Sequence, residues 1–286
     1  MIAVLTDSTC DLGPVQLGQL GVSVLPLSVQ IGGHSYRDWE DIDPDILFDQ
    51  MQEGAQPSTS PPGVEAFSAA YRRLLAVYDH VLSVHLSGEL SETVAQARAA
   101  AAELGRERVT VIDTGFATAP QGELVMLAAR LAREGHGAQA IAARLEALRA
   151  QLFAEFSVES LEYLRRDGRL SRSGELLGHL LRLRPVLRFE AGRIVADRRV
   201  RAGGATADMI ARLEERYGTA PIHVAVAHAG RDRERTDEVR KALEGSRLQI
   251  RSGRIQLIGA VIGAHVGPGT VGLVAYPAED GGAKPA

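Results

Sequence analysis

Short runs of apolar, β-branched residues alternate with helical stretches along the first half of this chain. Ile2–Thr6, Val22–Ile31, Val81–Val84 and Val109–Ile112 have the composition of buried strands. The segments between and after them predict helices over Asp43–Gln52, a segment ending near Tyr78, Ser91–Leu104, Gly122–Arg133 and Ala138–Leu152. Strands that alternate with helices in this order predict a parallel sheet flanked by helices, an α/β fold.

The pattern changes from about Phe156 onward. A helix ending at Arg166 is predicted first, and the turn Glu190-Ala191-Gly192 predicts a β-hairpin. The remaining predicted elements are a helix near Gly174–Leu183, hairpin strands Val186–Phe189 and Arg193–Val200, helices Ala205–Tyr217 and Arg233–Leu243, and strands Ile222–Ala227, Gln256–Ile262 and Val271–Tyr276. We therefore expect two α/β domains, 1–155 and 156–278, with 279–286 as a flexible tail and a ligand held between the domains.

Composition and charge exclude several classes of protein. Of the 286 residues, 45% are hydrophobic and 24% charged, as in soluble globular proteins. No apolar run reaches the roughly 18 residues of a membrane span, and the N-terminus lacks the basic region of a signal peptide, so we expect a cytoplasmic protein. The net charge of −4 argues against nucleic-acid binding.

The rare residue types exclude further chemistry. Lys241 and Lys284 are the only lysines, and neither belongs to a phosphate-binding Gly-x-x-x-x-Gly-Lys loop. Cys10 is the only cysteine, so an internal disulfide and a cysteine-based zinc site are excluded. We expect no metal and no cofactor.

Hydroxyl-rich turns follow or join the predicted strands of the first half. They are Asp7-Ser8-Thr9, Ser58-Thr59-Ser60 and Leu86-Ser87-Gly88. Ligands of open parallel sheets bind outside the carboxyl ends of the strands, so these turns are candidate binding elements. The alternative is that the side chains only cap helices, which is the commonest role of Ser, Thr and Asp before a helix.

Two basic residues of the second half stand out. His265 lies among glycines, which let a ligand or another backbone approach closely, although a core histidine satisfied by a carbonyl is the alternative. Arg169 follows Gly168 at a break between helices, where it could bind a carboxylate or phosphate. Arg198, Arg199 and Arg201 form a second basic group, which we interpret as a surface for a partner.

A hydrolase is a second hypothesis. Ser87 and His265 could form a nucleophile and its base. The surroundings of Ser87 do not match Gly-x-Ser-x-Gly, however, and no acid is obviously placed to orient the histidine.

Motifs spread over nearly the whole chain resemble those of the bacterial DegV family. In order they are Thr6-Asp7-Ser8-Thr9, Thr59-Ser60-Pro61-Pro62, Leu86-Ser87-Gly88, Val111-Ile112-Asp113-Thr114, Leu161–Leu164 running into Gly168-Arg169-Leu170-Ser171, Arg184-Pro185-Val186-Leu187, and Gly263–Gly269 around His265. The chain departs from the usual Gly-Gly-Arg-Ile-Ser motif by carrying Asp167 at its first position and Leu170 at its fourth.

The resemblance implies a two-domain α/β protein that holds one long-chain fatty acid and has no catalysis of its own. A separate ATP-dependent kinase subunit would phosphorylate the fatty-acid carboxylate, giving an acyl phosphate for phospholipid metabolism. By position, the carboxylate-binding residues are Thr59, Ser87, Arg169 and His265, with Ser60 and Gly88 as supporting contacts. The kinase would dock near Arg199 and Arg201, and transient contact with a membrane surface is expected.

Two alternatives remain beside this interpretation. One is a lipid hydrolase or acyl transferase that uses Ser87 and His265. The other is a regulatory protein that binds a different anionic amphiphile.

Overall fold

The computed structural model describes residues 1–104, 107–171, 183–201, 203–231 and 233–278. Its first sheet has four strands, all parallel, in the order β2-β1-β6-β7: Ile2–Asp7 (β1), Val22–Leu25 (β2), His80–His85 (β6) and Val109–Asp113 (β7). The predicted parallel sheet of the first half is therefore confirmed.

A second, smaller sheet comes from the same half of the chain. Ser28–Ile31 (β3), His34–Arg37 (β4) and Ser58–Ser60 (β5) pair antiparallel in the order β4-β3-β5. The prediction of one strand over Val22–Ile31 is thus wrong, since the chain leaves the first sheet at Pro26, which has no N–H to donate to a ladder. The predicted turn Ser58-Thr59-Ser60 is also wrong, because these residues form β5.

A six-stranded sheet contains the strands of the second half. The strands are Phe153–Ser157 (β8), Leu183–Glu190 (β9), Arg193–Arg201 (β10), Pro221–His228 (β11), Gln249–Leu257 (β12) and Val271–Pro277 (β13). Their order in the sheet is β10-β9-β8-β13-β11-β12, and neighbours pair antiparallel except β11 and β12, which are parallel. The predicted hairpin is confirmed as β9 and β10.

Helices cover the sheets, and most lie within a few residues of their predicted positions. In chain order they are Pro14–Leu20 (α1), Pro44–Gln52 (α2), Val64–Leu75 (α3), Thr93–Glu103 (α4), Thr118–Arg133 (α5), Ala138–Gln151 (α6), Glu162–Arg166 (α7), Ala205–Tyr217 (α8), Arg233–Glu244 (α9) and Ala260–Val266 (α10). None of the helices in the described ranges has both the length and the apolar character needed to cross a bilayer.

The predicted strand Gln256–Ile262 is wrong at its end. The strand stops at Leu257, and the apolar residues that follow begin helix α10. A short apolar run is compatible with either structure, so its pattern could not separate them. The predicted helix near Gly174–Leu183 lies outside the described residues except for Leu183, which begins β9, and the predicted tail 279–286 also lies outside them.

The largest group of buried apolar side chains contains residues from both halves of the chain. It includes Leu82 and Leu124 of the first half and Leu187 and Val274 of the second. Buried polar contacts join the halves as well, since Arg254 of β12 pairs with Glu123 of α5 at 2.9 Å. The two halves therefore pack against each other through a shared core, and a domain boundary near residue 155 stays a prediction.

Candidate functional site

A partly open cavity of about 340 Å³ lies among residues of both halves of the chain. This volume falls within the range of small-molecule pockets. Most of its wall is apolar, including Leu86, Leu90, Phe156, Phe189, Ile194 and Val261. Three residues that the sequence singles out, Thr59, Arg169 and His265, line the same cavity.

Thr59, His265 and Asp167 form a continuous chain of hydrogen bonds at the cavity wall. The hydroxyl Oγ1 of Thr59 lies 2.8 Å from Nε2 of His265. On the other side of the ring, Nδ1 lies 2.7 Å from Oδ2 of Asp167. The elements that supply these residues, β5, α10 and the end of α7, are far apart in sequence.

Asp167 holds a negative charge next to His265. Burial alone would raise the pKa of the Asp167 carboxyl, but the hydrogen bonds from His265 and Arg166 lower this pKa to about 2. An ionised carboxylate can only accept, so the Nδ1 atom of His265 carries a hydrogen in this arrangement. Asp167 thereby fixes which nitrogen of the imidazole faces Thr59.

Buried carboxylates position the helix that carries His265. At the N-terminus of α10, Oδ1 of Asp38 accepts hydrogen bonds from the N–H groups of Ala260 (3.0 Å) and Val261 (3.3 Å). Asp11 Oδ1 accepts another from the N–H of Gly259 at 3.0 Å. These contacts satisfy amides that the first turn of a helix leaves without partners.

Close packing also requires glycine within this segment. A Cβ on Gly263 would lie 2.7 Å from the ring of Phe48, so only a glycine lets α10 approach α2 this closely. The glycine-rich sequence around His265 therefore has a packing role.

Arg169 enters the cavity from the turn that ends α7. Gly168 adopts a φ of +67°, which favours glycine, and the N–H of Arg169 donates to the carbonyl of Leu164 at 2.9 Å. The turn places a half-buried guanidinium in the wall that also contains His265. The sequence prediction that Arg169 binds an anion stays a prediction.

Ser87 occupies a different position from the other three predicted residues. Its side chain is buried, and its hydroxyl donates to the carbonyl of Gly192 at 2.7 Å. The neighbours Leu86 and Gly88 line the cavity. The Ser87 hydroxyl therefore joins the Leu86-Ser87-Gly88 turn to the β9–β10 hairpin, and its role as a carboxylate ligand stays a prediction.

The supporting residues also have partners within the protein. The hydroxyl of Ser60 accepts a hydrogen bond from the side-chain amide of Gln30 at 2.8 Å. The N–H of Gly88 donates to Oδ2 of Asp113 at 3.2 Å. Gly88 lines the cavity, and Ser60 follows directly after Thr59 in β5.

The predicted docking residues lie on β10, at one edge of the six-stranded sheet. Arg201 is exposed, whereas Arg199 is half-buried. Nε and Nη2 of Arg199 are buried and have no hydrogen-bond partner among the residues described. The guanidinium of Arg198 forms ion pairs with Glu155, Asp197 and Asp208 of the same chain.

The turn Asp7-Ser8-Thr9 has a structural role in the described fold. The Asp7 carboxylate accepts from His85 Nδ1 at 2.9 Å and from the N–H groups of Thr9 and Leu86. Burial acts to raise the pKa of Asp7, but these contacts leave it lowered. All of these side chains are buried, and the bonds to His85 and Leu86 connect the end of β1 to the end of β6. The bond from the Thr9 N–H is the local capping contact that the alternative interpretation predicts.

Sequence reasoning missed Asp167, Asp11 and Asp38 as contributors to the site. Asp167 appeared only as a departure from a motif, and its position two residues before Arg169 was the available signal. Nothing in the local sequence around Asp11 or Asp38 indicates that their carboxylates bind the distant helix α10.

The fold and the cavity together define an α/β protein with a partly open, largely apolar cavity that also carries polar and charged side chains in its wall. The family model described as "Uncharacterised protein, DegV family" matches residues 1–278. The chain therefore belongs to the DegV family.

Relatives and solved structures agree with this assignment. A DegV domain-containing protein of Deinococcus radiodurans is 39% identical, with 96% of this chain and 98% of the relative covered. A fatty-acid-binding DegV family protein from Thermus thermophilus is 41% identical, with a TM-score of 0.91 over 97% of this chain and 99% of that one. DegV from Bacillus subtilis, described as a fatty acid binding protein, is 29% identical, with a TM-score of 0.85 over 97% and 99%.

Proposed function

We propose that this protein binds one long-chain fatty acid in this cavity. The observation that carries the proposal is the placement of Thr59, His265 and Arg169 in an otherwise largely apolar wall. The hydroxyl and the two basic side chains would bind the carboxylate, and Ser87 would join them by exchanging its bond to Gly192 for one to the ligand. The solved fatty-acid-binding relatives support this choice of ligand class.

Burial of the acyl chain supplies most of the binding free energy in this proposal. A sixteen-carbon acid contains about 14 methylenes, whose transfer from water contributes on the order of 11 kcal/mol before the costs of association. The carboxylate contributes specificity, because an unpaired charge cannot be buried without a large penalty. The polar wall thus fixes the orientation of the ligand, and the apolar wall holds it.

We further propose that a separate ATP-dependent kinase subunit phosphorylates the bound carboxylate and that this chain has no catalysis of its own. The partner would bring the nucleotide, and it would dock on the β10 edge near Arg199 and Arg201. The buried, unpartnered nitrogens of Arg199 support a role in which an acidic group of the partner reaches this side chain.

The hydrogen bonds do not favour the hydrolase alternative. His265 Nε2 bonds to Thr59, and the Ser87 hydroxyl bonds to the carbonyl of Gly192. A Ser–His nucleophile pair would need these two side chains to bond to each other. Steady hydrolysis of a nitrophenyl ester that Ser87→Ala abolishes would reverse this conclusion.

Native mass spectrometry of the purified protein tests the ligand. We expect a one-to-one adduct with the mass of a fatty acid, which organic extraction identifies directly. An empty protein that also takes up neither palmitate nor oleate would contradict the proposal.

Reconstitution with a purified bacterial fatty acid kinase subunit tests the second step. We expect ATP-dependent formation of an acyl phosphate, trapped by hydroxylamine, that decreases when Arg201→Glu is introduced. The Arg240→Glu variant, on the exposed face of α9, is the control and should support the wild-type rate. Equal rates for both variants would contradict docking of the kinase near Arg201. If the wild-type protein gave no acyl phosphate, the proposal of a kinase partner would be wrong.

A further inference from the structure

The hydroxyl of Thr59 can bond to His265 in two ways. Nε2 of His265 lies 2.8 Å from Oγ1 of Thr59, and the Nδ1 hydrogen points at the Asp167 carboxylate. In a neutral imidazole, Nε2 is an acceptor, so Thr59 must donate its only hydroxyl hydrogen to the ring. The hydroxyl then offers only lone pairs to the cavity, and these repel a carboxylate.

Protonation of the ring reverses this bond. Nε2 of an imidazolium donates to Oγ1, so the Thr59 hydrogen is free to turn into the cavity. A ligand carboxylate would then accept a hydrogen bond from the Thr59 hydroxyl. It would also be attracted by the positive charge of the His265 imidazolium, which bonds to the same hydroxyl. The same three side chains therefore present a donor in one protonation state and an acceptor in the other.

We propose that binding of a fatty-acid carboxylate is coupled to protonation of His265, and that Asp167 is the positioning residue that makes this coupling work. This inference rests on the proposed function, because it concerns the head group of the same ligand. Asp167 keeps a hydrogen on Nδ1 in both states, so the added proton must go to Nε2, the nitrogen that faces Thr59.

The surrounding charges favour the coupling. Arg169 lines the same cavity as His265, and its positive charge opposes a second cation while the site is empty. Glu89, Glu92 and Glu155 also line this cavity, and of these Glu89 pairs with Arg193 and Glu155 with Arg198. A ligand carboxylate between Arg169 and His265 would offset the repulsion between the two cations and would stabilise the protonated form of His265. The proton comes from solvent, and no covalent bond changes.

The elements packed against α10 carry several other charged side chains. Helix α7 carries Glu162, Arg165 and Arg166, and of these Arg166 pairs with Asp167 and lies over the ring of Tyr163. From α2, Asp45 and Asp49 pair with Arg231. Strands β3 and β5 contribute no ionisable side chain over Ser28–Ile31 and Ser58–Ser60.

Nuclear magnetic resonance of the imidazole signals tests the proposal. The His265 signal is assigned by its loss in His265→Gln, and it is titrated from about pH 5 to 9 with and without palmitate. We expect palmitate to raise the midpoint of the His265 titration by about one pH unit or more. Proton uptake measured by calorimetry in buffers of different ionisation enthalpy checks the same coupling without a variant.

The Asp167→Asn variant tests the positioning role. Asparagine can still accept from Nδ1 but has no charge, so we expect the His265 midpoint to fall by about one unit or more and palmitate affinity near pH 8 to fall several-fold. The matched control is Glu134→Gln, which removes a carboxylate 3.5 Å from the exposed His136. It should leave the His265 titration and the affinity as in the wild type.

The outcomes separate this inference from the proposed function. Palmitate binding with an unchanged His265 midpoint would overturn the coupling alone. A wild-type profile in Asp167→Asn would overturn the positioning role. A protein that does not bind palmitate at any pH would overturn the proposed function itself.

Discussion

At the scale of single residues, the site depends on a hydroxyl whose hydrogen bond has two possible directions. Thr59 lies in β5, a strand of three residues, and reaches a histidine 206 positions away in sequence. Because the threonine is half-buried at the wall of an apolar cavity, few groups compete for its hydroxyl. Its contribution to ligand binding should therefore be measurable with one isosteric change.

Thr59→Val removes the hydroxyl and keeps the shape of the side chain. A hydrogen bond to a charged group contributes about 1.5 to 3 kcal/mol, so we expect palmitate affinity to fall about 10- to 100-fold. Isothermal titration calorimetry measures the change. The control is Thr110→Val, since Thr110 Oγ1 also bonds to a histidine, His80 Nε2, at 2.8 Å, but on β7. An equal loss in both variants would contradict the site.

A glycine at the tip of the β9–β10 hairpin limits what can replace it. Gly192 has a φ of +82°, and a Cβ there would lie 2.6 Å from the hydroxyl oxygen of Ser87. That hydroxyl donates to the carbonyl of the same glycine, so the two turns approach each other closely. Any side chain at this position must displace Ser87.

We expect Gly192→Ala to lower the free energy of unfolding more than a glycine substitution that causes backbone strain alone. The comparison is Gly135→Ala, with a φ of +84° and open space around its Cβ. Both variants lose about 1 kcal/mol through backbone strain, and Gly192→Ala loses about 1 to 2 kcal/mol more through the Ser87 bond. Urea denaturation measures both values, and equal losses would contradict the close contact.

At the scale of elements, the N-terminus of α10 is held by carboxylates that are almost fully enclosed. Asp11 and Asp38 are 2% and 1% exposed, and Oδ2 of each has no hydrogen-bond partner within the described residues. Burial raises the pKa of Asp38 to about 7, and burial together with Asp38 raises that of Asp11. The helix that carries His265 is therefore held by groups that resist ionisation.

This arrangement predicts that stability falls as pH rises through about 7. The folded-state pKa of Asp38 lies above its ordinary value of 3.8, so the stability from its neutral form is complete below about pH 4 and is lost above 7. We expect Asp38→Asn to raise the free energy of unfolding at pH 8, by up to about 4 kcal/mol, with little effect below about pH 4.

Thermal unfolding across this pH range measures the effect. The control is Asp43→Asn, because the exposed Asp43 also accepts from a helix N-terminus, the N–H of Asp45, at 2.8 Å. It should keep the wild-type pH dependence. If Asp38→Asn keeps that dependence too, Asp38 is not the group responsible.

At the scale of the whole molecule, a partly buried ion pair joins the two halves. Arg254 of β12 bonds to Glu123 of α5, and the Tyr276 hydroxyl donates to the same carboxylate at 2.8 Å. Arg254 also bonds to Gln256, whose amide donates to the carbonyl of Cys10 at 2.9 Å. Because the network crosses between the halves, its loss should affect the unfolding of the entire chain.

We expect Arg254→Leu to lower the free energy of unfolding by about 3 kcal/mol, since it leaves the 6%-exposed Glu123 carboxylate without its cation. Adding Glu123→Gln should recover part of the loss. Arg240→Leu, which removes an exposed pair with Glu244, should change stability by less than about 0.5 kcal/mol. Calorimetry would contradict the prediction if both arginine variants melted alike.

The elements that were predicted well are those with strong local patterns. These elements are long enough for their periodicity or composition to be recognised in the sequence, and they include strands β1, β6 and β7 and helices α2, α5 and α8. Strands β4 and β5 were missed because three or four polar residues carry no period, and their pairing with β3 is a tertiary contact. The local pattern predicts a strand over the start of helix α10, because the carboxylates that cap this helix lie more than 200 residues earlier.

The sequence by itself determined the α/β class, the parallel sheet and three residues that meet at one cavity, because these follow from local apolar patterns and from short motifs. Only the tertiary structure decided that Asp167 and Thr59, 98 and 206 positions from His265, bond to opposite nitrogens of its ring. The tertiary structure also decided that the Ser87 hydroxyl donates a hydrogen bond to the carbonyl of Gly192. Hydrogen bonds depend on tenths of an ångström and on direction, and the packing of distant elements sets both.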